Sequence, residues 1–154
     1  MFTDLPDSVE IREVGPRDGL QNETTIPVGE RIALIDALSA TGLTAIEAAS
    51  FVHPKAIPPM AGSAEVMRGI TRVPGVRYRA LVPNERGALD ALACDADELE
   101  VVMSISETHN RKNINMAPDE SVKQIIELTD LAHREETPVE AILSTAFGCA
   151  YEGD

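Results

Sequence analysis

The chain has 154 residues, of which 44% are hydrophobic and 25% charged, a balance typical of one folded domain and not of a disordered tail. Its 13 basic and 26 acidic residues give a formal charge of -13, which argues against binding nucleic acid through a broad basic surface. No apolar run approaches the roughly 20 residues of a membrane span, and the start of the chain lacks the pattern of a signal peptide, so we expect a soluble, unexported protein that binds no membrane.

Short β-branched runs alternate with segments of helical periodicity along the chain. This pattern predicts successive βα units around a parallel sheet. Neither a repeat nor a flexible linker divides the sequence, so residues 1–154 are expected to form one domain. Five strands are predicted, at residues 9–14, 44–50, 77–82, 99–104 and 139–146.

Four helices are predicted between these strands. In the first, Ile32, Ile35 and Leu38 recur at helical spacing, with Pro27 suited to the first turn and Gly42 to the C-terminal stop. The second helix is indicated by the apolar positions Ala64, Met67 and Ile70, and the third by Asn84 as its N-cap residue. The fourth is predicted to begin at an Asp119 cap and to turn an apolar stripe inward, formed by Val122, Ile125, Ile126, Thr129 and Ala132.

The two longest predicted loops, residues 51–62 and 107–119, follow the second and fourth strands. Long loops after strands and short returns from helices are typical of a barrel enzyme, whose site lies at the carboxyl ends of the strands. An open doubly wound sheet is the alternative, although no glycine-rich phosphate fingerprint follows the first strand.

Arg17 and Asp18 stand side by side directly after the first predicted strand, among Gly15, Pro16 and Gly19. In parallel α/β folds this is where ligands bind. A carboxylate there can hold a divalent cation, while a guanidinium can steady a developing oxyanion. The alternative is a weak surface ion pair in a turn.

Glu47 lies among alanines and Ile46 in the second predicted strand. Both faces of a parallel sheet are normally covered, and an unpaired buried carboxylate is costly, so Glu47 needs a partner. Either Glu47 belongs to a functional site, where perturbed charges gather, or it forms a buried Glu-Arg pair that orients loops.

Four strings resemble hydroxymethylglutaryl-CoA lyases, members of a metal-dependent superfamily of lyases and acyltransferases built on a TIM barrel. The first, at residues 13–23, is the most specific, although its Arg-Asp-Gly-x-Gln element is shared by the whole superfamily. The strings are EVGPRDGLQNE at 13–23, IEAASFVHPK at 46–55, SETHNRKN at 106–113 and FGCAYEG at 147–153.

The resemblance implies an α/β fold, a TIM (β/α)8 barrel that is incomplete, with about five βα units, since a whole barrel needs roughly 250 residues. It also implies cleavage of 3-hydroxy-3-methylglutaryl-CoA to acetoacetate and acetyl-CoA, a step of leucine degradation and ketone body metabolism. By the match Asp18 is a metal ligand, Arg17 stabilises the enolate, and Glu47 completes an Asp-Arg-Glu constellation. Oxygen ligands suit Mg²⁺ or Mn²⁺.

Gln21 and Ser50 are substrate or supporting groups by the same resemblance, which implies an acyl-CoA substrate. Thr145, at the end of the fifth predicted strand, is expected to face the site and contact the substrate. The basic segment 108–113 is either a lid over this anion or a solvated loop. His53 and His109 are not expected to bind the catalytic metal, because they lack a ligand spacing. The two cysteines fit no disulfide framework and indicate a reducing cytoplasm.

The sequence departs from the family pattern at Ala150, where proline is usual, and at residues 56–60. The family's His-x-His ligands and its glycine-rich loop with the catalytic cysteine lie beyond Asp154, so we expect the chain alone to be an inefficient lyase. Exposed strand edges favour a homo-oligomer or a complementing C-terminal half. The alternatives are an acyltransferase joining acetyl-CoA to a 2-oxo acid and a noncatalytic half barrel.

Overall fold

The computed structural model describes residues 6–153, which contain five strands and five α-helices. All neighbouring strands are parallel, and their order in the sheet follows the chain. The strands are β1 (Arg12–Glu13), β2 (Ala45–Ser50), β3 (Arg77–Leu81), β4 (Glu98–Ser104) and β5 (Val139–Ser144). The helices are α1 (Val28–Ser39), α2 (Ser63–Gly69), α3 (Glu85–Leu92), α4 (Glu107–Ile114) and α5 (Pro118–Arg134).

This arrangement is an incomplete TIM barrel. Each strand is followed by a turn or helix and returns to pair beside its predecessor, so the sheet curls in one direction as a half barrel. A doubly wound sheet would reverse its strand order midway, so that alternative is wrong. Among residues 6–153, no helix combines the length and apolar character that a membrane crossing requires.

The two faces of the sheet differ in chemistry. Side chains alternate along a strand, and the outward set, such as Ile46, Tyr78 and Leu99, packs with the helices into one hydrophobic core. Val66 of α2 and Leu128 of α5 belong to the same core. The opposite, concave face carries charged side chains, which makes the inside of the half barrel polar.

Strands β2 to β5 lie within two residues of the predicted bounds, but β1 is much shorter than residues 9–14. Within residues 9–14, only Arg12 and Glu13 pair with β2, opposite Ala45 and Ile46. Val9 is 78% exposed and therefore contributes no core contact that would extend the strand. β-Branched composition alone does not make a strand without a partner.

Two helix starts and one stripe also differ from prediction. Pro27 precedes α1 as its N-cap residue and does not lie within the first turn. Helix α5 begins at Pro118, so the Asp119 cap is wrong; the Glu120 carboxylate accepts a hydrogen bond from the Ala117 N–H at 2.8 Å and stabilises the start of α5. Val122 and Ile126 of the predicted inward stripe are exposed, because Leu128 and Ala132 lie on the buried face.

The predicted loop at 107–119 is largely helix α4. The Ser106 hydroxyl accepts a hydrogen bond from the His109 N–H at 3.1 Å and caps the helix. Asn84 caps α3 as predicted, accepting from the Gly87 N–H at 3.0 Å.

Candidate active site

The chain leaves β1 through a π-helical turn, Gly15–Gly19, and then a short 3-10 turn, Leu20–Asn22. The Val14 carbonyl accepts from the N–H groups of Arg17 and Asp18 at 3.1 and 2.7 Å. The sequence predicted a turn without helical character here, because of its glycines and proline, but proline is tolerated in the first helical turn. The tight winding fixes the directions of the Arg17 and Asp18 side chains.

The Arg17 side chain bonds to two carboxylates, that of Glu47, 30 residues away in sequence, and that of Asp18, the next residue. Its Nε and Nη2 lie 2.6 and 2.5 Å from Oε1 of Glu47, and its Nη1 donates to Oδ1 of Asp18 at 2.9 Å. Both Arg17 and Glu47 are buried. The structure therefore brings together the three residues that the sequence singled out, at the carboxyl end of β1 and within β2.

Asp18 differs from Glu47 in being half exposed, with 54% of its side chain accessible. Gln21 donates to the same oxygen, Oδ1, at 2.9 Å, which holds the carboxylate from a second side. Asp18 is thus a fixed, accessible oxygen ligand. Within residues 6–153, however, no three His, Cys, Asp or Glu side chains are grouped to hold a metal.

The other predicted site residues lie at the ends of β2 and β5. Ser50 is buried, and its hydroxyl has no hydrogen-bond partner among the described residues. Thr145 follows β5 with φ of 59°, a left-handed conformation that is unusual for a β-branched residue, and its hydroxyl accepts from the Ser106 N–H at 3.1 Å. Among the described contacts, no hydrogen bond links either residue to Arg17, whereas Gln21 is linked through Asp18.

The burial of Glu47 raises its pKa to about 8. A nearby carboxyl, Glu100, contributes to the rise, and the Arg17 guanidinium opposes it. The Glu47 side chain can therefore hold a proton at neutral pH, unlike an ordinary glutamate.

Glu100 belongs to a group of charged side chains on the concave face, which we call the interior ion cluster. Arg79 lies at its centre: Nη2 is 2.6 Å from Glu98, Nε is 3.1 Å from Glu100, and Arg79 also contacts Glu140. Arg12 approaches Glu140 at 2.6 Å and Glu100 at 3.4 Å. Sequence reasoning missed this cluster, although Glu98 and Glu100 have the period-two spacing of one strand face.

The segment predicted as a lid or solvated loop is instead part of helix α4. The buried Asn110 side chain accepts from the Ser104 N–H at 2.8 Å and donates to the Met116 carbonyl and the Ser121 hydroxyl at 2.9 and 2.7 Å. His109, beside it, lies 2.7 Å from the Ser104 hydroxyl. These bonds fix the helix against β4 and α5.

Two of the cavities in the described chain each have a volume of about 470 Å³, and neither of these two is lined by Arg17, Asp18 or Glu47. One lies between α3 and α5, on the helical side of the sheet. The other lies after β5, beside Ser106, Thr145 and Cys149. The Cys149 thiol lies 3.0 Å from the Ser106 hydroxyl and accepts from the Tyr151 N–H at 3.3 Å, and these hydrogen bonds, the one with Ser106 first, lower the pKa of the thiol. The candidate site is therefore identified by its charged constellation.

A family model described as HMGL-like matches residues 8–153. The chain is 50% identical over 150 residues to hydroxymethylglutaryl-CoA lyase YngG of Bacillus subtilis, covering 97% of this chain and 50% of that protein. It is 49% identical to the cytoplasmic 3-hydroxy-3-methylglutaryl-CoA lyase of Mus musculus, of which it covers 44%, and 46% identical to the mitochondrial lyase of Gallus gallus, of which it covers 51%. The chain thus spans about half the length of the curated relatives it matches.

Solved structures agree with these relatives. The crystal structure of the Bacillus subtilis HMG-CoA lyase superposes with a TM-score of 0.95, covering 97% of this chain and 50% of that one at 50% identity. An Acinetobacter baumannii HMG-CoA lyase, solved in complex with coenzyme A and 3-methylmalate, superposes with a TM-score of 0.90 at 42% identity, covering 94% of this chain and 48% of that one.

Proposed function

Because the chain belongs to the HMGL-like family, we propose that it forms the N-terminal part of a hydroxymethylglutaryl-CoA lyase, which cleaves 3-hydroxy-3-methylglutaryl-CoA to acetoacetate and acetyl-CoA. In this proposal residues 1–154 are part of a single TIM-barrel domain. The observation that carries the proposal is the buried Arg17 bonded to both Asp18 and Glu47, at the end of the barrel where such enzymes have their sites. The names of the relatives support the same activity.

The reaction places two demands on a protein. A proton must leave the tertiary hydroxyl, and the departing thioester fragment must be held as an enolate until it is protonated. We propose that the Arg17 guanidinium donates hydrogen bonds to the enolate oxygen, because a fixed cation in a buried site stabilises developing negative charge. Glu47 accepts from Nε and Nη2 of Arg17 and so orients the remaining N–H donors.

Asp18 is proposed as one ligand of a divalent metal, Mg²⁺ or Mn²⁺. The family is metal-dependent in general, and the half-exposed Asp18 carboxylate, fixed by Arg17 and Gln21, suits a hard cation. When bound, such a metal would polarise the substrate's oxygens and acidify its hydroxyl. Residues 6–153 offer no group of three ligands, so the remaining ones would come from outside the described chain.

Three further residues are proposed to contact or support the acyl-CoA substrate. Gln21 holds Asp18, and Thr145 lies at the end of β5. The Ser50 hydroxyl has no hydrogen-bond partner within residues 6–153 and is available as a donor. The proposed macromolecular partner is the complementing C-terminal half or a second copy. A cytoplasmic location, consistent with two free cysteines, is also proposed, with a role in leucine degradation and ketone body metabolism.

The proposal is tested by complementation. The chain is co-expressed with the C-terminal half of the Bacillus subtilis relative, the part that it does not match, and acetoacetate release is measured with Mg²⁺ or Mn²⁺. We expect product from the purified complex, little from the chain alone, and a loss of about 100-fold or more in Arg17→Gln or Asp18→Asn.

Arg86→Gln, at an exposed position of α3, is the matched control and should keep full activity. A stable complex without acetoacetate release would contradict the lyase. Thiol release from acetyl-CoA with a 2-oxo acid would favour the acyltransferase instead, and no activity on either substrate would favour a noncatalytic half barrel.

A further inference from the structure

Arg31 of α1 is a buried cation without a counter-charge in the described chain. Only 1% of the residue is exposed, and no Asp or Glu within residues 6–153 forms an ion pair with it. Its Nε has no hydrogen-bond partner among the same residues. Burying an unpaired charge costs free energy, so an apolar side chain of similar volume would suit this place better unless the guanidinium has a task.

The donors of Arg31 are aimed at a single turn of the chain. Its Nη1 donates to the carbonyl oxygens of Ala61 at 2.7 Å and of Pro59 at 3.4 Å, and its Nη2 lies 4.0 Å from Sδ of Met60. These residues belong to the short 3-10 turn Pro58–Met60, which follows β2, or come directly after it. A guanidinium presents several donors in fixed directions, so Arg31 sets the course of this turn as an apolar side chain could not.

The hydroxyl of Ser63 links the same turn to the end of β2. It lies 2.8 Å from the carbonyl oxygen of Met60 and 2.6 Å from that of Ser50, and its proton is shared between the two. Ser63 is itself buried. A continuous path of hydrogen bonds and backbone therefore leads from Arg31, across the turn, to Ser50.

Ser50 lies on the interior face of the sheet because β2 contains a bulge. The register with β3 shifts by one residue between Glu47 and Ala49, so that Glu47 lies beside Arg79 and Ser50 beside Leu81. Residues three apart in an unbroken strand lie on opposite faces, and Ser50 would then face the helices. The extra residue instead places it on the face that carries Glu47, and bulges next to active sites re-aim side chains in this way.

We propose that Arg31 is a positioning residue, which holds the turn at 58–61 and, through Ser63, fixes the end of β2 so that the Ser50 hydroxyl faces the candidate site. That hydroxyl is buried and has no partner within residues 6–153, so it can bond to a substrate. The contact of Ser50 with an acyl-CoA rests on the proposed function, whereas the placing of Ser50 by Arg31 does not.

The first test uses the 154-residue chain without substrate, labelled with ¹³C-serine. Ser50 should give one Cβ signal in the unsubstituted protein. Arg31→Met should shift or split this signal and speed amide exchange at Met60 and Ala61 by about tenfold, because the turn loses its charged donors. Arg31→Lys should largely restore both, since it keeps a cation beside the carbonyls. Arg68→Met, at an exposed position of α2, is the control and should change neither.

The second test measures acetoacetate release by the complex with the C-terminal half of the Bacillus subtilis relative. Arg31→Met and Ser50→Ala should each lower kcat/KM by about tenfold. The double variant should lose no more than either single variant, because two changes that act through one hydroxyl are not additive. A purely structural role of Arg31 would instead give losses that add, and Arg68→Met should keep full activity.

Ser63→Ala covers the case in which Arg31→Met does not fold, and it should shift or split the Ser50 signal in the same way. The proposal is overturned if neither variant changes the Ser50 signal, or if the losses of Arg31→Met and Ser50→Ala add in the double variant. An unsubstituted complex that releases no acetoacetate would contradict the lyase activity alone, and the Ser50 signal would then decide the role of Arg31.

Discussion

At the scale of single residues, Arg17 is the group on which the candidate site depends. It provides the cation for buried Glu47 and, through Nη1, also fixes exposed Asp18. A change at this position therefore affects a buried charge and an accessible ligand together.

We expect Arg17→Met to destabilise the chain by about 3 kcal/mol at pH 9, because it leaves the Glu47 carboxylate buried and unpaired. At pH 6 the loss should be smaller, since Glu47 is then protonated and needs no cation. Urea unfolding at both pH values measures the difference. Arg86→Met, at an exposed position, serves as the control, and an equal loss at both pH values would contradict the expectation.

Glu47 should make stability depend on pH in an uncommon direction. Folded Glu47 keeps its proton up to a pKa of about 8, whereas the ordinary value is 4.5, so between these values the folded state binds more protons and stability falls as the pH rises. We expect the unsubstituted chain to lose up to about 1.4 kcal/mol per pH unit relative to Glu47→Gln in this window. Urea unfolding at pH 5.5 and 8 measures the free energy of unfolding of the unsubstituted chain and of Glu47→Gln. An equal change in this free energy for both proteins between the two pH values would show that Glu47 titrates normally.

Glu47, Arg17 and Asp18 could be singled out from the sequence, but the residues of the interior ion cluster could not. A carboxylate inside an apolar strand is conspicuous, and Arg17-Asp18 follows a strand directly. Arg79 and Glu100 occur in strands that also contain other polar residues, and charged residues in such strands are typical of a solvent-exposed face. Only the curl of the sheet, which places that face inside the barrel, makes them buried.

At the scale of elements, helix α4 shows how one side chain can decide between loop and helix. Its sequence contains polar residues and no apolar stripe, so periodicity predicts no helix. Its stability comes from the Ser106 cap and from Asn110, which bonds to groups before and after the helix. Tertiary contacts of this kind are invisible to a local pattern.

We expect Asn110→Ala to cost about 2 kcal/mol, because it removes three hydrogen bonds and leaves the Ser104 N–H and the Ser121 hydroxyl buried with fewer partners. Asn113→Ala, on the exposed side of the same helix, should cost less than about 0.5 kcal/mol. Urea unfolding measures both, and amide exchange should show faster opening of α4 in Asn110→Ala alone. Equal costs for the two variants would mean that Asn110 does not anchor the helix.

At the scale of the whole molecule, the strand order was predictable and the shape of the surface was not. Alternating strands and helices indicated a parallel sheet, and the resemblance indicated a barrel with about five units, which the structure confirms. The extent of β1 and the exposure of Val122 and Ile126 depend on which neighbours each element finds. Those neighbours are distant in sequence and leave no local signal.

The described sheet ends in β5, which has one strand neighbour, and apolar side chains lie exposed beside it. Leu143 is 52% and Phe147 101% exposed. An open parallel edge with exposed apolar residues favours association. We expect the 154-residue chain to associate as its concentration rises, and Leu143→Lys with Phe147→Asp to reduce that association. Sedimentation velocity over a wide concentration range measures it, and a monomer at every concentration would contradict it.

The interior ion cluster also has a consequence for protein engineering. Buried ion pairs often contribute no more stability than well-packed apolar residues of similar volume. The combined variant Arg79→Met, Glu98→Gln, Glu100→Leu and Glu140→Leu should therefore unfold at an equal or higher urea concentration than the unsubstituted chain. Arg79→Met alone should lower that concentration, because it leaves buried Glu100 without its main cation. The charged side chains that line this half barrel can thus be replaced by uncharged ones without loss of stability only if they are replaced together.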